Sequence, residues 1–237
     1  MTLMLHNLTS LQHLQMYGFR KIQKMPTDFF IGLNALASLS IVFWPELEFL
    51  AEGIFQNCSL SSISICGCKK LRSLSESFLN LTMLKDLTLE DCPMLNGFPS
   101  GLNQLISLQR LNMSGKTITS SDWFGYSSSL RDSSGLVVLP EALQHLSSLE
   151  YLGISYFSEL ASLPDWLGNL TTLKELEIDA CPDLECIPMS MQRLTNLKKL
   201  SIVKCPKLEQ KYEKEVGEDW HKISHIPHVD IRSDWFR

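Results

Sequence analysis

Three stretches, "LKDLTLEDCPML" (84–95), "LKELEIDACPDL" (173–184) and "LKKLSIVKCPKL" (197–208), share one pattern, L-x-x-L-x-L-x-x-C-x-x-L. Looser copies start at Leu11, Leu36, Leu60, Leu108 and Leu149, so that successive starts lie 25, 24, 24, 24, 41, 24 and 24 residues apart. The single long interval reads as one ordinary unit plus about 17 inserted residues. In "LTL" at 87–89 the two-residue alternation marks a short strand with Leu87 and Leu89 inward and Thr88 outward. Leu95, Phe98, Leu102 and Leu105 follow at spacings of three and four and line the inner side of the returning segment. A unit this short cannot bury its own apolar edge, so each copy has to stack on its neighbours.

The expected architecture is therefore an α/β leucine-rich-repeat solenoid, a horseshoe with a concave parallel sheet and a convex side of irregular or short helical segments. About eight 24-residue repeats fill residues 1–208, with an insertion near 116–135, and residues 209–237 form a C-terminal capping segment. Pro26, Pro99, Pro140, Pro164 and Pro188 fall at one repeat position, just after an apolar residue, where they turn the chain onto the outer face.

Composition narrows the partners. A net charge of -5 leaves no basic surplus for duplex nucleic acid or an anionic membrane. The longest uncharged stretch, from Phe29, is broken by Gly32, Asn34, Ser38 and Ser40 and is too short for a membrane-spanning helix. The opening "MTLMLHNLTSLQHL" has no basic start and no continuous apolar run, unlike a secretory signal.

The candidate chemistry dissolves into the repeat. Cys68, Cys92, Cys181 and Cys205 share a slot that Phe19, Trp44 and Phe157 fill in other copies, which points to core packing, because neither aromatic ligates a metal or exchanges a disulfide. Cys186 belongs to another layer of its repeat, and in "CGC" at 66–68 alternation points one thiol outward and one inward. Seven cysteines without paired terminal caps favour a reducing compartment. "SGKT" at 114–117 resembles the end of a phosphate-binding loop but has Arg110 where glycine is needed. His221, His225 and His228 lack a carboxylate or cysteine partner, whereas Trp220, Ile223 and Ile226 beside them suit packing over the last repeat. The expectation is a non-enzymatic protein without metal or cofactor. Sequons at Asn7, Asn57, Asn80, Asn112 and Asn169 are partly products of the repeat itself, since three are "NLT" at the turn feeding a strand.

A partner would meet the outward strand positions: His13, Gln15 and Tyr17; Asp86, Thr88 and Glu90; Arg110, Asn112 and Ser114; Tyr151, Gly153 and Ser155; Glu175, Glu177 and Asp179; Lys199, Ser201 and Val203. Glu175, Glu177 and Asp179 make an acidic stripe beside Lys198, Lys199 and Lys204, and Tyr151 and Tyr156 add aromatic area of the kind enriched at interfaces. The same row also fits an ordinary solvated sheet face whose neighbouring charges offset one another. The inserted loop carries Trp123, Phe124 and Tyr126, either for contact with a partner or to pin the loop to the solenoid edge.

With "LEDCPMLNGFPSGLNQLISLQ", "IDACPDLECIP" and the tail "CPKLEQKYEKEVGEDWHKISHIPHVDI" in view, the chain resembles the leucine-rich-repeat region of plant intracellular immune receptors of the coiled-coil, nucleotide-binding class. The resemblance implies a cytoplasmic recognition module that senses a pathogen effector or a modified host protein and helps hold a nucleotide-binding domain inactive. No segment of that domain is present in the sequence, so the expectation is a fragment, a truncated gene product or a repeat-only relative. The expected partner site, read from the outward strand positions and the insertion, joins Asp86, Glu90, Arg110, Tyr151, Glu175, Glu177, Asp179 and Lys199 with Trp123, Phe124 and Tyr126 of the loop. The alternative is an extracellular receptor fragment that binds a peptide or glycan and carries glycans on Asn80 or Asn112, although CPxL stands where such repeats show Gly-x-Ile-Pro. A repeat-only scaffold is the third reading.

Overall fold

The computed structural model describes residues 8–26, 28–56, 59–74, 76–95, 102–115 and 139–233. Nine strands form one parallel sheet in chain order: β1 His13–Tyr17, β2 Ser38–Val42, β3 Ser62–Cys66, β4 Asp86–Glu90, β5 Arg110–Ser114, β6 Tyr151–Ser155, β7 Glu175–Asp179, β8 Lys199–Val203 and β9 His228–Arg232. Eight of these are the strands that the repeat pattern marks. The ninth comes from the tail and pairs with β8 from Lys199↔His228 to Val203↔Arg232, with no leucine pattern in the sequence to announce it.

The return segments are 3-10 turns rather than α-helices, among them Glu76–Asn80, Glu141–His145, Asp165–Asn169 and Met189–Arg193. Five residues are too few for stable α-helical hydrogen bonding, and the tighter 3-10 turn fits the narrow spacing between stacked units. Pro140, Pro164 and Pro188 sit immediately before three of these turns, where a missing N–H costs nothing. The only α-helix among the described residues, α1 Pro206–Lys211, starts the cap.

Backbone bonding repeats with the units. The amides of Lys85 and Asp86 both donate to the Ser61 carbonyl, and those of Gln109 and Arg110 both donate to Lys85. Glu150 and Tyr151 bond to Gln109 in the same way, so the inserted residues leave the stacking of β6 on β5 intact, in register Arg110↔Tyr151 to Ser114↔Ser155. At the far end of most strands the chain turns through a left-handed residue: Gly18, Phe43, Gly67, Asp91, Tyr156, Ala180 and Lys204 all have positive φ. The amides of Gly18, Phe43, Gly67, Tyr156, Ala180 and Lys204 donate to the last carbonyl of the following strand. Asp91 departs from this, its amide donating to the Ser114 hydroxyl at 2.9 Å, and β4–β5 pairing stops one residue early at Leu89↔Met113.

The residue after each left-handed turn drops into the core. Trp44, Cys68, Cys92, Phe157, Cys181 and Cys205 are all buried, as their shared slot predicts, and Phe19 is partly buried at the first repeat. The thiols of Cys92, Cys181 and Cys205 also donate to the carbonyl two residues earlier, at 3.3, 3.4 and 3.3 Å. Sulfur here acts as a small hydrophobe with a weak donor. Leu36, Leu60, Leu84, Leu149 and Leu173, which open their repeats, are fully buried, whereas Leu11 in the first unit is only partly so because no described repeat stacks on its outer side.

Candidate protein-binding face

Sheet register sets one continuous row on the concave face, because Asp86, Arg110, Tyr151, Glu175 and Lys199 are direct neighbours from β4 to β8. Arg110 links the row to both sides. Its Nε lies 3.6 Å from Asp86 Oδ1, and its guanidinium sits 4.3 Å from the centre of the Tyr151 ring. Tyr151 in turn donates its hydroxyl proton to Glu177 Oε2 at 2.8 Å, reaching diagonally across to the next strand. Lys199 Nζ completes the far end, 3.8 Å from Glu175.

Gly153 explains how so much side chain fits here. A methyl group built on Gly153 would collide with Asn112 Oδ1 and lie 3.1 Å from the Tyr151 hydroxyl, so the missing side chain is what lets both lie across β6. Burial, together with the Glu177 carboxylate that accepts its proton, pushes the Tyr151 phenol well above its usual range. The charged ends stay half exposed, so their Coulomb gain against water is small and they are free to re-pair with a partner.

A second group forms where β6 ends. Tyr156, at φ 57, has its phenol raised by burial and then by the carboxylates of Asp179 and Glu90, which places two of the expected acidic contacts around one ring. Ser201 and Val203, outward by alternation, are 7% and 4% exposed instead. They lie between the longer side chains of Glu177 and Asp179 on β7 and Asp230 and Arg232 on β9, and the tail strand closes that end of the face. Trp123, Phe124 and Tyr126 lie outside the described residues.

One exposed aromatic pair escaped the sequence reading. Tyr17 and Phe43 meet edge to face at 5.4 Å and are 66% and 48% exposed. Phe43 occupies the left-handed column that holds Gly18 and Gly67 in other repeats, and the signal that could have found it is a phenylalanine at a position whose side chain turns to solvent. Among the described residues no cluster of His, Cys, Asp and Glu is arranged to hold a metal ion; His221 instead faces the Glu218 carbonyl, and His228 lies in β9. Ser114 of "SGKT" ends strand β5. Among the same residues no helix is long and apolar enough to cross a membrane.

A family model described as R13L1/DRL21 leucine-rich repeats matches residues 122–205. Disease resistance protein RPP4 of Arabidopsis thaliana is 34% identical over 86 residues, which are 35% of this chain and 7% of that protein. The chain is a leucine-rich-repeat solenoid, and part of it is similar to repeats of plant disease resistance proteins. It covers only that small fraction of the curated relative it matches. Among solved structures, the leucine-rich repeat domain of the type III effector XopL aligns with a TM-score of 0.71 at 22% identity, covering 98% of this chain and 72% of that one. A Leptospira interrogans leucine-rich-repeat protein aligns at 0.57 and 17% identity over 98% of this chain and 58% of that one, and internalin C2 of Listeria monocytogenes at 0.57 and 15% over 93% and 79%. These likenesses show the horseshoe fold.

Proposed function

We propose that this solenoid is the non-catalytic, cytoplasmic recognition module of a plant innate immune receptor, and that it binds a protein, a pathogen effector or a modified host protein, on its concave face. The observation that supports this reading is the linked row Asp86, Arg110, Tyr151 and Glu177, extended by Glu175 and Lys199, which presents both signs of charge and an aromatic ring over adjacent strands. Glu90 and Asp179 beside Tyr156 widen the surface, and Trp123, Phe124 and Tyr126 of the insertion contribute further contacts. The same module helps hold a nucleotide-binding domain inactive in the full-length receptor. Similarity to disease resistance protein RPP4 and the R13L1/DRL21 repeat type support that setting.

Charge reversal tests the face directly. Glu175→Lys with Glu177→Lys, checked for an unchanged far-ultraviolet spectrum, is compared with the parent chain for proteins captured from pathogen-challenged plant tissue. Loss of the captured protein at least tenfold, with no loss for Glu141→Lys on the opposite side, is expected. Equal capture by the reversed and parent chains rules the patch out.

A further inference from the structure

Four cysteines stand in two pairs, each one repeat apart. Cys68 and Cys92 each lie two residues beyond the paired positions Cys66↔Glu90 at the ends of β3 and β4, and Cys181 and Cys205 two beyond Asp179↔Val203 at the ends of β7 and β8. Adjacent parallel strands run about 4.8 Å apart. That spacing falls within the roughly 4.4–6.8 Å separation of Cα atoms that a disulfide spans. All four side chains point into the same inner slot, with exposures of 0% and 6% for the first pair and 0% for both members of the second.

Within each pair the two thiols stand side by side in that slot, each with a backbone carbonyl in reach of its S–H. The neighbouring thiol holds Cys68 and Cys205 down, whereas the neighbouring thiol and then burial push Cys92 and Cys181 up. Each slot therefore sets two sulfurs next to one another across adjacent strands, the placement that an attacking and a resolving thiol require. Cys66 and Cys186 stand apart, half-exposed and outside the slot.

We propose that Cys68–Cys92 and Cys181–Cys205 are oxidation sites that close as disulfides between consecutive repeats when the chain meets a hydroperoxide. The thiolate of Cys68 attacks one peroxide oxygen, the O–O bond breaks, and the departing oxygen takes up protons as water, leaving a sulfenic acid. The Cys92 sulfur then attacks the Cys68 sulfur, the S–O bond breaks, and the second oxygen leaves as water with the Cys92 proton. Two thiols and one hydrogen peroxide give one disulfide and two waters; the sulfurs lose two electrons and the peroxide gains them. Cys205 and Cys181 react in the same order. The two cross-links bind β3 to β4 and β7 to β8, so they fix strand spacing at both ends of the concave row.

The test uses the full chain carrying Cys58→Ser, Cys66→Ser and Cys186→Ser, treated with hydrogen peroxide under native conditions, alkylated after unfolding, and digested with trypsin without reduction. Two linked peptide pairs are expected, Cys68 with Cys92 and Cys181 with Cys205, each lighter by two hydrogens than its separate members and resolved by dithiothreitol. The thermal midpoint rises with the links and falls back on reduction. Fully alkylated cysteines, sulfinic or sulfonic acids on single residues, or links crossing between the pairs overturn the proposal. If the triple variant does not fold, the parent chain with its accessible thiols first blocked by N-ethylmaleimide is mapped in the same way.

Discussion

The phenol of Tyr212 bonds to both backbone groups of Ile187, one repeat away. Its oxygen lies 2.9 Å from the Ile187 amide nitrogen and 3.3 Å from the Ile187 carbonyl, and Asp219 Oδ2, itself held by Lys222 at 2.9 Å, stands 3.3 Å away. Tyr212 and Ile187 are both buried, so these groups have no water to turn to. In the interior of the solenoid the next repeat supplies such partners; here the cap does. Tyr212→Phe is expected to cost about 1–3 kcal/mol, since it leaves a buried amide without its acceptor. Tyr212→Ala removes the ring as well and should cost about 3–5 kcal/mol. Urea unfolding of the two variants checks the order, and a phenylalanine variant as stable as the parent would mean that the cap is held by packing alone.

Burial pushes the phenols of Tyr151 and Tyr212 above the usual tyrosine range, helped in both cases by a neighbouring carboxylate. A raised folded-state pKa contributes stability that is complete below the unfolded value, about 10, and is lost as pH climbs from there toward the folded value. The urea midpoint should therefore fall on the alkaline side of about pH 10. Tyr212→Phe and Tyr151→Phe, each referenced to its own midpoint at neutral pH, should flatten that fall. An alkaline limb identical to the parent's in both variants would show that neither phenol is held protonated by the fold.

The left-handed turns make a backbone prediction of opposite signs. Ala180 holds φ 50 at a position where Gly67 holds φ 69. A side chain in this region costs roughly 1–2 kcal/mol, partly offset by the greater chain entropy that glycine loses on folding. Ala180→Gly should stabilise by about 0.5–1 kcal/mol. Gly67→Ala should destabilise by more than that, because the new Cβ would also meet Phe43 Cδ1 at 2.7 Å. Thermal midpoints of the two variants should move in opposite directions.

The repeat made the fold legible because one leucine spacing, copied eight times, leaves only one way to bury every apolar edge. Even the shared slot of Cys92, Trp44 and Phe157 could be read as core, since chemistry that tolerates tryptophan cannot be ligation. β9 was illegible because "HVDIR" carries only two apolar residues and gains its place from β8 rather than from a pattern of its own. The concave row could be named residue by residue from alternation, but its connections could not. That Tyr151 reaches Glu177 rather than Glu175 depends on rotamers, and on the room that Gly153 leaves for the ring.

Whether that row is pre-organised is measurable at Arg110 and Tyr151. A guanidinium 4.3 Å from the ring centre at a half-exposed site should couple to the ring by about 0.5–1 kcal/mol. A double-mutant cycle with Arg110→Met and Tyr151→Leu, read by urea unfolding, should return that coupling. Raising the salt concentration should weaken the Arg110–Asp86 pair more than the ring contact, because the ion pair is open to screening. A coupling of zero would mean that Arg110 moves freely in solution and that the row is assembled only when a partner arrives.

The sequons separate by geometry. Asn80 and Asn169 end exposed 3-10 turns, whereas Asn112 lies within β5 with its Oδ1 packed over Gly153. A glycan on Asn112 would have to displace that amide from the concave face and lift the Tyr151 ring with it. When the chain is forced through the secretory pathway behind an added signal, the secreted, folded fraction should carry glycans on Asn80 and Asn169 and none on Asn112. Intact mass before and after glycosidase treatment, with site mapping of the peptides, reads this directly. High occupancy at Asn112 in folded material would break the row at its centre, and would favour the extracellular reading over recognition by the charged face.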